Sequence, residues 1–181
     1  MTTYISMLRG INVSGHKKVP MPDLKALYEG LSFRDVITYI QSGNVIFKAD
    51  ISISPVELAG RIEKSIIEKF GFDVPVIIRT MDEIKNVVAL NPFLKESGID
   101  IDKLHVTFLE EKPQSSKISA IEDLDFSPDK FFIIEREIYL YCPNGYGNTK
   151  LSNTYFENKL KMQATTRNWK TVNKLAELAN S

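Results

Sequence analysis

The sequence of 181 residues holds one cysteine, two histidines and one tryptophan, and each scarcity removes a class of chemistry. Cys142 alone cannot close an intramolecular disulfide. With His16 and His105 as the only imidazoles there is no ligand cluster of zinc-like spacing, so no metal site is expected. Lysine plus arginine matches aspartate plus glutamate, 23 against 23, so no net field draws the chain to nucleic acid or to a membrane surface. The N-terminal TTYISMLRGIN lacks the long apolar run of a signal peptide or membrane span, which makes no membrane association and a cytoplasmic location the expectation. There is no G-x-S-x-G elbow, no GxGxxG and no G-x-x-x-x-G-K-[ST] spacing, so no motif calls for a cofactor and no reaction is named. His105 sits in an alternating strand pattern as a structural residue, and Cys142 ends a strand as an inert small hydrophobe.

What is present is a chain 43% hydrophobic, long enough to bury a core as one domain or two small ones. Tyr4 to Leu8 reads as a short strand, followed by the loop RGINVSGHKKVP and a helix with Pro22 near its start. Val36 to Gln41 and Val45 to Lys48 flank Ser42, Gly43 and Asn44 in hairpin order. Ser54 with Glu57 forms a capping box for a helix ending near Phe70 and Gly71. Val74 to Arg79 is the next strand, and Asp82 to Leu90 a helix stopped by Asn91 and Pro92.

The second half repeats this order. Strand Leu104 to Leu109 precedes a helix from about Ser115 to Ile121, then strands Phe131 to Glu135 and Ile138 to Cys142. Helix Lys150 to Lys161, strand Gln163 to Thr166 and helix Trp169 to Leu178 follow. The final corners align in sequence, IIRTMDEIKNVVAL beside TTRNWKTVNKLAEL, with Arg79 against Arg167 and Met81 against Trp169. Each half is βαββαβ plus a terminal helix. The expectation is therefore an α+β protein of two tandem ferredoxin-like units, each followed by an extra helix and packed closely together. The first half is 1–92, the second 103–181, and the junction 93–102 falls within NPFLKESGIDID, Asn91 to Asp102.

Charge is segregated beneath the neutral total. Ile99 to Glu137 carries ten acids against five bases, whereas Ile138 to Ala176 carries six bases against Glu157 alone. Within that basic stretch, TTRNWKTVNKL puts Arg167 and Asn168 at the strand-to-helix turn, beside the only indole, with Lys170 and Lys174 on one helix face. The loop after the first strand has Arg9, Gly10 and Gly15, then Lys17 and Lys18. Those are ingredients of anion binding, since glycine amides approach an oxyanion and arginine offers a fork.

Three motifs in this order and spacing, LRGINVSGHKKVPMPDL, TYIQSGNVIF and TTRNWKTVNKL, resemble the bacterial DUF1697 family, a domain of unknown function, over the length of the chain. The resemblance implies a small cytoplasmic α+β protein with a duplicated ferredoxin-like fold and no established activity. Ser14 stands where the family usually carries glycine, and Lys150 in NTKLS matches a lysine the family commonly places before leucine.

Joined physically, the motifs nominate a ligand site between the two halves for a small anion such as phosphate, carboxylate or a nucleotide. Its residues would be Arg9, Gly10, Asn12, Gln41, Ser42 and Asn44 from the first half, and Lys150, Arg167, Asn168, Trp169 and Lys174 from the second. Two other readings stand beside it. Tyr139 and Tyr141 alternate onto one strand face, as in modules that stack single-stranded nucleic acid, but there is no RNP1-like run and no net positive charge. Alternatively the motifs are structural locks, and exposed sheet edges pair between chains in a homo-oligomer.

Overall fold

In the computed structural model, which describes residues 1–181, the apolar run at the N-terminus is strand β1 (Thr2–Leu8). Helix α1 (Met21–Gly30), strands β2 (Arg34–Tyr39) and β3 (Asn44–Ala49), helix α2 (Pro55–Phe70) and strand β4 (Val76–Thr80) follow. Helix α3 (Met81–Ala89) starts directly on the end of β4. The four strands form an antiparallel sheet in the order β2-β3-β1-β4, so β1 is central, and α1 and α2 each cross over between strands of that sheet. That is the ferredoxin-like arrangement.

Alternation along β1 explains the core. Tyr4 and Leu8 join Leu24 and Tyr28 of α1, Leu58 and Ile62 of α2 and Phe47 of β3 in one apolar cluster. Ser6, on the same side, is satisfied there by the Tyr28 hydroxyl at 2.7 Å. Helix α2 is defined at both ends by its sequence. Ser54 Oγ accepts from the Glu57 amide, Pro55 occupies the first position, and Gly71 closes the helix in the left-handed region at φ 80°. Its Leu58, Ile62 and Ile66 recur every four residues and are fully buried, each burial stabilising by about 1.5–3 kcal/mol.

The second set of elements repeats the topology. Strand β5 (Leu104–Leu109), helix α4 (Ser115–Glu122), strands β6 (Lys130–Ile134) and β7 (Glu137–Tyr141), helix α5 (Asn153–Leu160), strand β8 (Ala164–Asn168) and helix α6 (Trp169–Ala179) build an antiparallel sheet in the order β6-β7-β5-β8. Leu109, Leu140, Phe156 and Leu160 anchor its core. Several boundaries shift from the sequence reading, and two of the shifts have a direct cause. Helix α5 begins at Asn153 because Ser152 caps it, accepting from the Tyr155 amide. Strand β8 runs on to Asn168 because Arg167 and Asn168 still pair with Val106 and His105. The chain divides into two compact units, Met1–Asn86 with Lys174–Ser181, and Val87–Asn173.

Candidate functional site

At the end of β1 in the first unit, the loop Arg9–Pro20 and the hairpin turn Ile40–Gly43 are bound into one object. The Leu8 amide donates to the Gly43 carbonyl and the Arg9 amide to the Pro75 carbonyl, both at 2.9 Å. The Asn12 carboxamide joins three points. Its Oδ1 accepts from the Val19 amide at 2.8 Å, while its Nδ2 donates to the Val19 carbonyl at 3.0 Å and the Gln41 carbonyl at 2.8 Å. Lys17 Nζ donates to the Asp73 carbonyl at 2.5 Å. Within the turn, Asn44 Nδ2 donates to the Tyr39 carbonyl at 3.2 Å and to Ser42 Oγ at 2.8 Å. Gly43 is required twice over. Its φ is 77°, and a Cβ there would lie 2.7 Å from both Leu8 Cβ and Ile11 Cδ1. The RGIN and QSGN motifs are thus two parts of one interlock.

The backbone of the loop alternates in hand. Gly10 (φ 70°), Asn12 (55°) and Ser14 (49°) are left-handed, with Ile11 and Val13 between them on the negative side. Gly15 (78°) and Lys17 (46°) add two more left-handed positions. Residues of alternating φ sign can turn neighbouring amides toward one side, as anion-binding loops do, with the Asn12 amide here spent on the Lys17 carbonyl at 3.1 Å. The amides of Gly10, Ser14 and Gly15 make no hydrogen bond within the protein. Ile40 has φ 50° although it is β-branched and 48% exposed, a conformation costing about 1–3 kcal/mol. The carbonyls on either side of it, Tyr39 and Gln41, are the two that Asn44 and Asn12 hold. Sequence reasoning missed Ile40 and the carbonyls of Asp73 and Pro75, because nothing in an isoleucine or a backbone oxygen signals such a role.

The nominated residues therefore differ in what they leave open. Asn12 and Asn44 spend their amide groups inside the interlock, and Asn44 is fully buried. Gln41 is exposed, and Arg9, Gly10 and Ser42 are half-buried. In the second unit Arg167 is only 8% exposed and donates to Thr165 Oγ1 at 2.8 Å and the Thr166 carbonyl at 3.0 Å. Asn168 caps α6, its Oδ1 accepting from the Thr171 amide at 2.8 Å, and Trp169 is buried. Lys174, midway along α6 and counted with the first unit, pairs with Glu177 at 2.6 Å. Thr166 turns to the helix-covered face, where it meets Thr107 and Asn153, so Arg167, next along β8, turns to the other face. Lys150 is exposed, in the loop before α5.

The family described as "Protein of unknown function (DUF1697)" matches residues 1–139. The chain belongs to the DUF1697 family. No curated protein sequence matches it. Among solved structures, the fold is shared with the conserved bacterial protein SP0830 from Streptococcus pneumoniae, at 23% identity, a TM-score of 0.76 and 98% coverage of each chain. At that identity the likeness speaks for the fold alone.

The titratable groups of this DUF1697 chain sharpen the picture. Burial pushes the Cys142 thiol up to about 11, so the thiolate needed of a nucleophile is disfavoured. Burial also lowers His105 below its ordinary value, partly opposed by the Lys103 carbonyl. Its ring stacks on Tyr146 at 4.9 Å and its Nδ1 is buried without a partner. Tyr139 is buried and donates to the Val87 carbonyl at 3.2 Å, and Tyr141 packs against Phe93, so both rings are engaged in packing. No helix is long and apolar enough to cross a membrane.

Proposed function

We propose that the chain binds a small anion, phosphate, carboxylate or nucleotide, at the interlocked loops of its first unit. The alternating backbone of Gly10–Ser14, with open amides beside Arg9, His16 and Lys18, is the single observation that supports this reading. Gln41 supplies a further exposed amide donor on the turn. Asn12 and Asn44 act as positioning residues, because their amides hold the loop and the turn in shape before any ligand arrives.

The test is thermal stability with inorganic phosphate, sulfate and nucleotides, on the wild type and on Arg9→Glu. A ligand at about a hundred times its Kd stabilises by about 2.7 kcal/mol, which a melting curve resolves. The expected result is a rise in Tm with phosphate that Arg9→Glu abolishes, each protein being compared with its own unliganded Tm. Absence of any shift with all three ligand types overturns the reading, as does a shift that Arg9→Glu leaves intact.

A further inference from the structure

In the second unit, the segments Asp125–Asp129 and Asn144–Lys150 line a cavity of about 200 Å³ whose wall charges do not neutralise one another. The Asp125 carboxylate accepts only from the Ser127 amide and hydroxyl, at 2.8 and 2.6 Å. Asp129 accepts from the Thr149 hydroxyl at 2.6 Å. Lys150 forms no hydrogen bond or ion pair, which puts its ammonium more than 4.0 Å from every carboxylate.

Opposite charges lining one small cavity ordinarily close on each other if the backbone lets them. Here the backbone beside Lys150 is fixed. Thr149 Oγ1, besides bonding Asp129, accepts from the Leu151 amide at 3.0 Å, and Leu151 is fully buried. Asn148 Nδ2 donates to the Asn144 carbonyl at 2.8 Å and closes the preceding turn. Phe126, packed edge-on against Phe131 and Tyr155, makes the apolar part of the wall.

A bare cation in this cavity would meet the Lys150 ammonium, and a bare anion would meet two carboxylates. A molecule carrying both charges supplies each wall with the partner it lacks. We propose that the cavity binds a small zwitterion, a free α-amino acid or a compound of the same charge pattern. Its ammonium lies toward Asp125 and Asp129, its carboxylate toward Lys150, and its carbon skeleton on Phe126.

The experiment is ligand-observed NMR with the free proteinogenic amino acids, followed by calorimetry of any binder with wild type, Lys150→Ala, Lys150→Arg and Asp129→Asn. The same binder is then offered as its N-acetyl and methyl-ester derivatives, each lacking one charge. Binding of one or a few amino acids is expected, weakened about tenfold or more by Lys150→Ala, by Asp129→Asn and by either derivative. Lys150→Arg is expected to retain it. No binding up to about 10 mM overturns the proposal, since so weak an affinity would leave the charge pattern unused. So does equal binding of a derivative, or binding indifferent to Lys150→Ala. If Asp129→Asn fails to fold, the Lys150 variants and the derivatives still decide, because Lys150 bonds nothing in the protein. Arg9→Glu, in the other unit, is expected to leave amino-acid binding unchanged.

Discussion

Leu8 and Leu109 end the central strands of the two sheets in the same way, and the chain then does two different things. In the first unit the amides of Leu8 and Arg9 donate to Gly43 and Pro75, each at 2.9 Å. In the second the amides of Leu109 and Glu110 donate to Arg136 and Gln163, at 2.9 and 3.0 Å. From this shared pattern the first copy departs into the loop Arg9–Pro20 and the turn Ile40–Gly43. The second needs only Glu110–Gln114 and the tight turn Glu135–Arg136. Arg9 in one copy is Glu110, followed by Glu111, in the other. A ferredoxin-like unit is therefore complete without the long loop, its left-handed residues or its cations. What the fold does not require in one copy is the part of the other that carries the run of left-handed residues and the unbonded amides.

The largest break in this comparison is expected at the interlock. Gly43→Ala adds a Cβ 2.7 Å from Leu8 and Ile11 at a left-handed φ, so overpacking and backbone strain add. A loss of about 3 kcal/mol is expected, or about 10 °C in Tm. Arg136→Ala, at the matching position of the second copy, is expected to cost far less, since that residue sits on the other copy's tight turn. Calorimetric melting of both variants checks it, and equal losses would mean that the interlock is no tighter than an ordinary hairpin. Next comes Asn12→Ala, which leaves the Val19 amide and the Gln41 carbonyl without their partner and is expected to cost about 2 kcal/mol. A urea titration that moves by less than about a quarter of that would show the loop to be held by its other bonds.

Much of the scaffold was readable from the residues, because it rests on local signals. The Ser54 cap with Glu57 and the stop at Gly71 both act within one helix, and the structure carries each of them. The motifs at the loop and the turn were also readable as unusual. Their relation was not, since Asn12 and Gln41 meet across 29 residues of chain, through a backbone oxygen that has no residue identity. Left-handed Asn12 and Ser14 escape notice because propensity favours glycine there only on average. The two arginine corners that align in sequence also align in space. In the structure Arg79, at 1% exposure, is buried more deeply than Arg167 at 8%, and the two occupy the same register opposite Ile5 and Val106.

Those corners offer a finer comparison. In the first, Thr80 and Glu83 form a reciprocal box, the Thr80 amide donating to the Glu83 carboxylate at 2.8 Å and the Glu83 amide to Thr80 Oγ1 at 3.2 Å. In the second, Asn168 caps alone and Lys170 stands where the first copy has Asp82. Thr80→Ala and Asn168→Ala are each expected to cost about 1 kcal/mol. Lys170→Glu, which restores an acid to the first turn of α6, is expected to stabilise by about 0.5 kcal/mol, fading in high salt. A Lys170→Glu protein that melts below wild type at low salt would show that Lys170 has a favourable partner role the helix dipole does not capture.

The smallest effect separates the copies by pH. Tyr4 pairs with Thr80 where His105 pairs with Asn168, so only the second unit carries an imidazole, half-buried, at this register. Burial favours its neutral form and lowers it below the ordinary 6.5, while the carbonyl of Lys103 partly offsets that and the Lys103 ammonium adds to it. The unfolded chain therefore takes up the proton first as pH falls. Its contribution to stability is present above about 6.5 and is lost progressively below it, until the folded imidazole titrates too. Melting curves between about pH 5 and 7.5 are expected to fall more steeply for wild type than for His105→Tyr, which installs the first copy's residue. The Tyr146 ring, stacked on His105, remains to pack against the new ring, so a variant that keeps the wild-type slope would place the pH sensitivity on other groups.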